Sequence, residues 1–155
     1  RMKRLTGLSN AIVLVAICVH PAMGNAQNRS ETVPVACPQA LDVTALHLYG
    51  AWQARWDGVS EAATLTLGRS EDHPDGLRGT IRRPAGQSPA QALVAGDVDN
   101  GAFTLEESTD GRAISATWSG SFADQACGKE IRGTWTDTAT RIERAFVLRK
   151  QPGWQ

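Results

Sequence analysis

Arg83, Phe103, Glu107, Trp118 and Trp135 are the residues of this chain whose types and positions point to binding chemistry. Arg83 extends the apolar alternation Leu77, Gly79, Ile81, and Glu107 extends Phe103, Leu105. In an extended segment alternate side chains share a face, so both charges are directed toward the apolar side near a segment end. Opposite charges over a floor of Trp118 and Trp135, with Phe103 on the same face, suit a small polar or zwitterionic ligand with an apolar part. The competing reading is that each segment frays at its end and the charge reaches water at a rim.

Catalytic chemistry has less to draw on. Past residue 26 the histidines are His47 and His73, both expected on solvated polar surface. No Gly-x-Ser-x-Gly, His-Glu-x-x-His or phosphate-cradling glycine loop is present. Asp97-Val98-Asp99-Asn100-Gly101 has the acidic start of a calcium loop, but the twelfth position is Ser108 and the ligand spacing fails. Glu106 and Glu107 are adjacent, so on a strand they face opposite ways and cannot share a proton. No catalytic residue, metal ligand or cofactor is therefore expected.

The elements that must position these residues have a period of two. Strands are expected at 47–56, 62–68, 76–83, 91–98, 102–108, 112–122, 129–137 and 142–150. The breaks carry hairpin residues: Asp57-Gly58, Asp75-Gly76, Asp99-Asn100-Gly101 and Asp110-Gly111. Each segment has one apolar face, as in Ile114, Ala116, Trp118, Gly120 and Phe122. Eight strands joined by short turns predict an all-β fold, an eight-stranded antiparallel up-and-down barrel over 47–150, because closure removes exposed edges. Gly50, Gly79, Gly96, Gly120 and Gly133 fall on the inward face, which is expected either to leave room inside or only to relieve crowding around Trp52, Trp118 and Trp135.

The run Ala116-Thr117-Trp118-Ser119-Gly120-Ser121-Phe122 resembles the Thr-Trp-Ser-Gly strand of the avidin and streptavidin family, a calycin-type barrel. Gly50-Ala51-Trp52 resembles that family's first strand. Leu77-Arg78-Gly79-Thr80, then Val94-Ala95-Gly96 and Asp99, are similar in spacing to its third and fourth strands, and Thr134-Trp135 to its seventh. The resemblance implies the same barrel, with Trp118 and Trp135 at the family's pocket tryptophans. It also implies a changed pocket. Ala54 replaces an asparagine, Ile81 a tyrosine and Arg83 a serine; Glu107 falls near a tryptophan, and Ile114 and Ala116 replace hydroxyl residues.

The ends and the composition place the protein. Lys3 and Arg4, an apolar run from Ala11 to Val19, and small residues up to Ala26 have the layout of a secretory signal peptide, too short to span a membrane. Residues 1–26 are so assigned, 27–46 as an irregular N-terminal arm and 151–155 as a tail in which Trp154 caps the barrel or touches a partner. The whole chain has 16 basic and 16 acidic residues; without Arg1, Lys3 and Arg4 the remaining 129 residues carry a net charge of −3. That excludes an electrostatic footprint for nucleic acid, and no membrane insertion is expected after processing. Cys37 and Cys127 are expected to form one disulfide, in keeping with a periplasmic or secreted bacterial protein.

Two functions follow as expectations. The first is an exported, non-catalytic binding protein holding a small ligand at the barrel mouth. The second is a protein-interaction module, such as an inhibitor of a secreted hydrolase, whose partner is another secreted or periplasmic protein. For biotin itself the pocket replacements predict binding no tighter than about the micromolar range, near −8 kcal/mol, because buried polar partners are missing. Calorimetric titration checks this, and a nanomolar dissociation constant would refute the positional reading.

Overall fold

The computed structural model describes residues 37–153. Its strands are β1 (Gly50–Trp56), β2 (Ala63–Arg69), β3 (Leu77–Arg82), β4 (Gln91–Asp99), β5 (Ala102–Ser108), β6 (Ala116–Phe122), β7 (Glu130–Asp137) and β8 (Glu143–Lys150). Each pairs antiparallel with the next, and β8 pairs back to β1, so the barrel is closed. The alternation that predicts the strands also fills the interior. Trp52, Leu65, Phe103, Leu105, Ile131 and Phe146 are fully buried on the inward face, and each such side chain stabilises the fold by about 1.5–3 kcal/mol.

Two strand starts differ from the sequence expectation. The segment at 47–49 is not strand: residues Ala45–Leu48 form one helical turn, α1, preceded by a 3-10 turn at Ala40–Asp42. The Thr44 N–H donates to His47 Nδ1 at 3.0 Å, and Trp52 Nε1 donates to the Leu48 carbonyl at 2.8 Å. The second bond occupies the Leu48 carbonyl, which a longer β1 would have to pair with a neighbouring strand, and the first holds the helical turn closed. The second difference is at 112–115, where β6 begins only at Ala116. Asp110 Oδ1 accepts the N–H groups of Arg112 and Ala113, and Thr138 Oγ1 donates to the Ile114 carbonyl. The chain is thereby curled away from the ladder, and Ile114 is exposed. The backbone bonds from Ala113 and then Arg112 hold the Asp110 carboxyl below its ordinary value.

Four of the five inward glycines, Gly79, Gly96, Gly120 and Gly133, serve contact between backbones more than space. A Cβ on Gly79 would lie 1.8 Å from the Thr66 carbonyl oxygen, and one on Gly133 would lie 2.0 Å from that of Ser119. Only glycine lets adjacent strands close so tightly, which is how a narrow barrel coils. The expectation that Gly79, Gly96, Gly120 and Gly133 leave an interior void is corrected accordingly.

The barrel has two unlike ends. The arm, α1, the start of β1 and the end of β8 lie at one of them. There the Lys150 ammonium donates to the His47 carbonyl and sits 5.7 Å from the Trp52 ring centroid. Burial first, and the nearby Lys129 second, push the Lys150 pKa down. Cys37 and Cys127 form a disulfide with Cα atoms 4.6 Å apart, tying the arm to the β6–β7 turn at this end. The other end is ringed by the β1–β2, β3–β4, β5–β6 and β7–β8 turns, and no described part of the arm covers it. Residues 1–26, 27–36 and Trp154 lie outside the described residues. No helix among the described residues is long and apolar enough to cross a membrane.

The bridge spans 90 residues of sequence, so on the chain-entropy model its loss should cost about 4 kcal/mol. Cys127→Ser is expected to lower the melting temperature without changing the β-sheet circular dichroism spectrum. Native protein labelled without reductant should show no free thiol at Cys37 or Cys127; stoichiometric labelling of both of these cysteines would refute the bridge.

Candidate functional site

Arg83 follows β3 directly, and its N–H donates to the Ala90 carbonyl at 2.8 Å. That bond prolongs the β3–β4 pairing by one residue, so the Arg83 side chain continues the inward direction of Leu77, Gly79 and Ile81. Glu107, near the end of β5, is held opposite Val94 and Ala116. Its carbonyl accepts the Ser115 N–H at 2.7 Å, which fixes the strand end before the chain turns away. Neither strand frays. The Arg83 and Glu107 side chains retain 7% and 2% exposure, which decides against charges reaching water at a rim.

The Glu107 carboxylate collects the donors around it. Arg83 Nη2 donates to Oε1 at 2.7 Å and to Oε2 at 3.0 Å. Trp118 Nε1 and Trp135 Nε1, from directly opposed positions on β6 and β7, each donate to Oε2 at 3.3 Å. Arg83 Nη1 reaches the Pro89 carbonyl at 3.4 Å. The guanidinium carbon lies 5.5 Å from the Trp56 ring centroid, within cation–π range. Trp56 in turn packs against Trp118 and Trp135, with centroid separations of 5.3 and 6.5 Å.

Above this layer is a hollow of about 470 Å³ at the open end, lined by Trp56, Val59, Arg83, Ser88, Trp135 and Arg144, among others. Four of the residues expected to form a site are thus brought together: Arg83, Glu107, Trp118 and Trp135. Their roles divide. Glu107 and Trp118 lie beneath the hollow as its support, and Arg83 and Trp135 form part of its surface. Phe103 is separate. It is fully buried four residues from Glu107 along β5, about 13 Å at strand rise, and does not line the hollow.

Trp56 and Arg144 join the site without having been singled out from the sequence. The alternation of β1 carries Trp52, Ala54 and then Trp56 inward, and that of β8 carries Leu148, Phe146 and then Arg144. Arg144 stands directly opposite Trp135 on β7. The signal was therefore the inward face followed to its last residue on β1 and β8, as for Arg83 and Glu107.

The other sequence candidates do not enter the site. His47 belongs to α1 at the closed end, and His73 is exposed in the β2–β3 turn. Asp99-Asn100-Gly101 is the β4–β5 turn, where Asn100 and Gly101 have φ of 48° and 80°, as a tight hairpin requires. Among the described residues no three His, Cys, Asp or Glu side chains are grouped to hold a metal ion. A scan against protein-family models finds none that matches the chain, and a search of curated proteins finds no match.

The buried pair makes a sharp energetic prediction. Removing one member of such a pair strands the other charge, at a cost of about 3–5 kcal/mol. Glu107→Ala should therefore lower the urea-unfolding free energy by that amount. The double change Arg83→Met with Glu107→Leu should be milder than Glu107→Ala alone, because no uncompensated charge remains. If the single and double variants are equally destabilised, the pair is not coupled as the distances indicate.

Proposed function

We propose that the protein is an exported, non-catalytic binding protein that takes a small polar or amphipathic ligand at the barrel mouth. The observation that carries this reading is the hollow at the open end. Its volume falls in the range of small-molecule sites, about 300–1,000 Å³. Its floor combines indole surface with a guanidinium fixed by Glu107. Such a floor is preorganised, so a ligand need not immobilise it on binding.

Export is supported by the disulfide and by the signal-like segment at residues 1–26. A non-catalytic role is supported by the state of the one acid beneath the mouth. Glu107 accepts four hydrogen bonds, and both carboxylate oxygens are engaged by donors that would have to let go before it could take a proton from a substrate. Avidin-like ancestry is the finer reading of the barrel. The sequential strand order and the opposed Trp118 and Trp135 support it, while Ala54 and Ile81, both fully buried apolar residues, argue against the family's ligand.

The second reading, a protein-interaction module such as an inhibitor of a secreted hydrolase, is favoured by one observation. Leu41 and Leu46, on the arm and α1, are each 72% exposed. Apolar side chains left in water at the closed end suit a protein partner there.

The test is a screen of anionic, neutral and cationic small molecules by thermal shift and tryptophan fluorescence. Ser60 lines the hollow and is exposed, so Ser60→Trp should fill the mouth without disturbing the barrel. Ligands of the wild type should lose at least tenfold in affinity in this variant. Absence of any ligand, or ligands indifferent to Ser60→Trp, would refute the mouth as the site and leave the interaction module as the better reading.

A further inference from the structure

The charges around the mouth are unevenly committed. Arg83 is neutralised by Glu107 beneath it. Arg144 also lines the hollow, yet among the described residues it has no carboxylate within salt-bridge distance, unlike Arg78, Arg83, Arg132 and Arg149. No Asp or Glu lines the hollow. Asp57 and Glu61 belong to the β1–β2 connection but do not reach its surface. In a chain whose composition past residue 26 is acidic, the lining of the hollow therefore carries one uncompensated cation, Arg144.

The position of Arg144 follows from the barrel's geometry. It is the last inward residue of β8 at the open end, opposite Trp135, and a Cβ on Gly58 would lie 3.8 Å from its Nη1. The guanidinium is thus at the rim between the β1–β2 turn and the indole of Trp135. Ser60, Gln87 and Ser88 supply uncharged hydrogen-bonding groups to the same hollow. A ligand cation would meet Arg144 and would have to displace Arg83 from the face of Trp56. A ligand anion meets a free fork of donors suited to a carboxylate. The indoles of Trp56 and Trp135 touch edge to face, with planes 77° apart, and Arg83 covers Trp56, so the half-buried indole of Trp135 beside Arg144 is the surface against which a flat apolar ring gains contact.

We propose that the mouth selects a small organic monocarboxylate bearing a flat aromatic ring, with the carboxylate on Arg144 and the ring lying against Trp135. This rests on the mouth being a ligand site and adds the ligand's charge and shape. The two arginines have different tasks. Arg83 is a positioning residue, locked to Glu107 and holding the floor; Arg144 touches the ligand.

The experiment titrates the full-length protein with indole-3-acetate and benzoate, with the matched neutral amides, with benzylamine, and with acetate as the ringless anion. The aromatic carboxylates should bind about tenfold or more tighter than their amides, the loss expected when a charge-assisted hydrogen bond is removed. Acetate and benzylamine should bind more weakly than either carboxylate. Raising ionic strength from 50 to 500 mM should weaken the carboxylates and leave the amides unchanged. Arg144→Gln should bring the carboxylates down to the affinity of the amides, and because Arg144 is exposed the variant should keep the wild-type circular dichroism spectrum and melting temperature, showing that the barrel remains folded. Amides or benzylamine binding as tightly as the carboxylates, or carboxylates indifferent to Arg144→Gln, would overturn the inference. If that happens while neutral or cationic ligands from the broader screen still depend on Ser60, the mouth remains a binding site and only its charge preference is wrong. If no compound of any charge binds, the mouth reading and this inference fall together.

Discussion

A carboxylate with 2% of its surface exposed is the constraint around which the open half of this barrel is built. Moving an ionised carboxylate out of water costs several kcal/mol, and that cost is offset only when opposite charge and directed donors surround it. Here the offset is drawn from distant parts of the chain. Arg83 follows β3, Glu107 is on β5, Trp118 on β6 and Trp135 on β7. Donors from non-adjacent strands can meet one acid only if the barrel has closed with the right register. Glu107 therefore ties barrel closure, strand register and the geometry of the mouth into one condition. A one-residue slip of β5 would exchange Glu107 for Glu106 and Phe103 for Ala102, reversing every inward position of that strand.

The two ends apply the same device to opposite effect. The inward face of β8 ends in a cation at each side: Lys150 at the closed end and Arg144 at the open end. Lys150 lies over Trp52 and is bonded to the His47 carbonyl, so its charge is absorbed by the fold and lowered in pKa by burial. Arg144 has no carboxylate partner among the described residues and borders open space. The difference arises from what precedes β1. The arm and α1 supply a backbone carbonyl and a disulfide tether where the chain enters the barrel, and the far end receives only hairpin turns.

The sequence was legible wherever a period of two and a turn residue acted together. Asn100-Gly101 and the alternation of β4 and β5 gave the hairpin and its inward face, and the same alternation directed Arg83 and Glu107 inward. It was less legible where side chains satisfy the backbone locally. His47 and Leu48 continue the alternating pattern of β1, yet the Thr44–His47 and Trp52–Leu48 bonds favour a helical turn. The carboxylate of Asp110 likewise detaches Ile114 from β6. Glycine was the most misleading signal. Its lack of a side chain suggested space, whereas at Gly79 and Gly133 that lack is consumed by the approach of a neighbouring carbonyl. The grouping of Arg83 and Glu107 over Trp118 and Trp135 was legible, but not the hydrogen bonds that bring all three donors to one carboxylate, since alternation gives the face of a residue but not its height around a tilted barrel.

With Arg83, Trp118 and Trp135 directing donors at Glu107, most of the polar capacity of the mouth's floor is committed within the protein. What remains for a ligand is aromatic surface and the unpartnered Trp56 Nε1–H from below, and polar groups from the turns: Ser60 from β1–β2, Gln87 and Ser88 from β3–β4, and Arg144 at the rim strand. This divides the mouth into a floor that cannot change without unburying a charge and a rim that can. Substitution of a turn residue disturbs no ladder hydrogen bond and strands no buried ion, so recognition can be altered there at little cost to stability. The floor contributes rigidity and a general affinity for flat apolar groups, and selectivity among such groups must then reside in a few turn residues and in the single uncommitted guanidinium of Arg144.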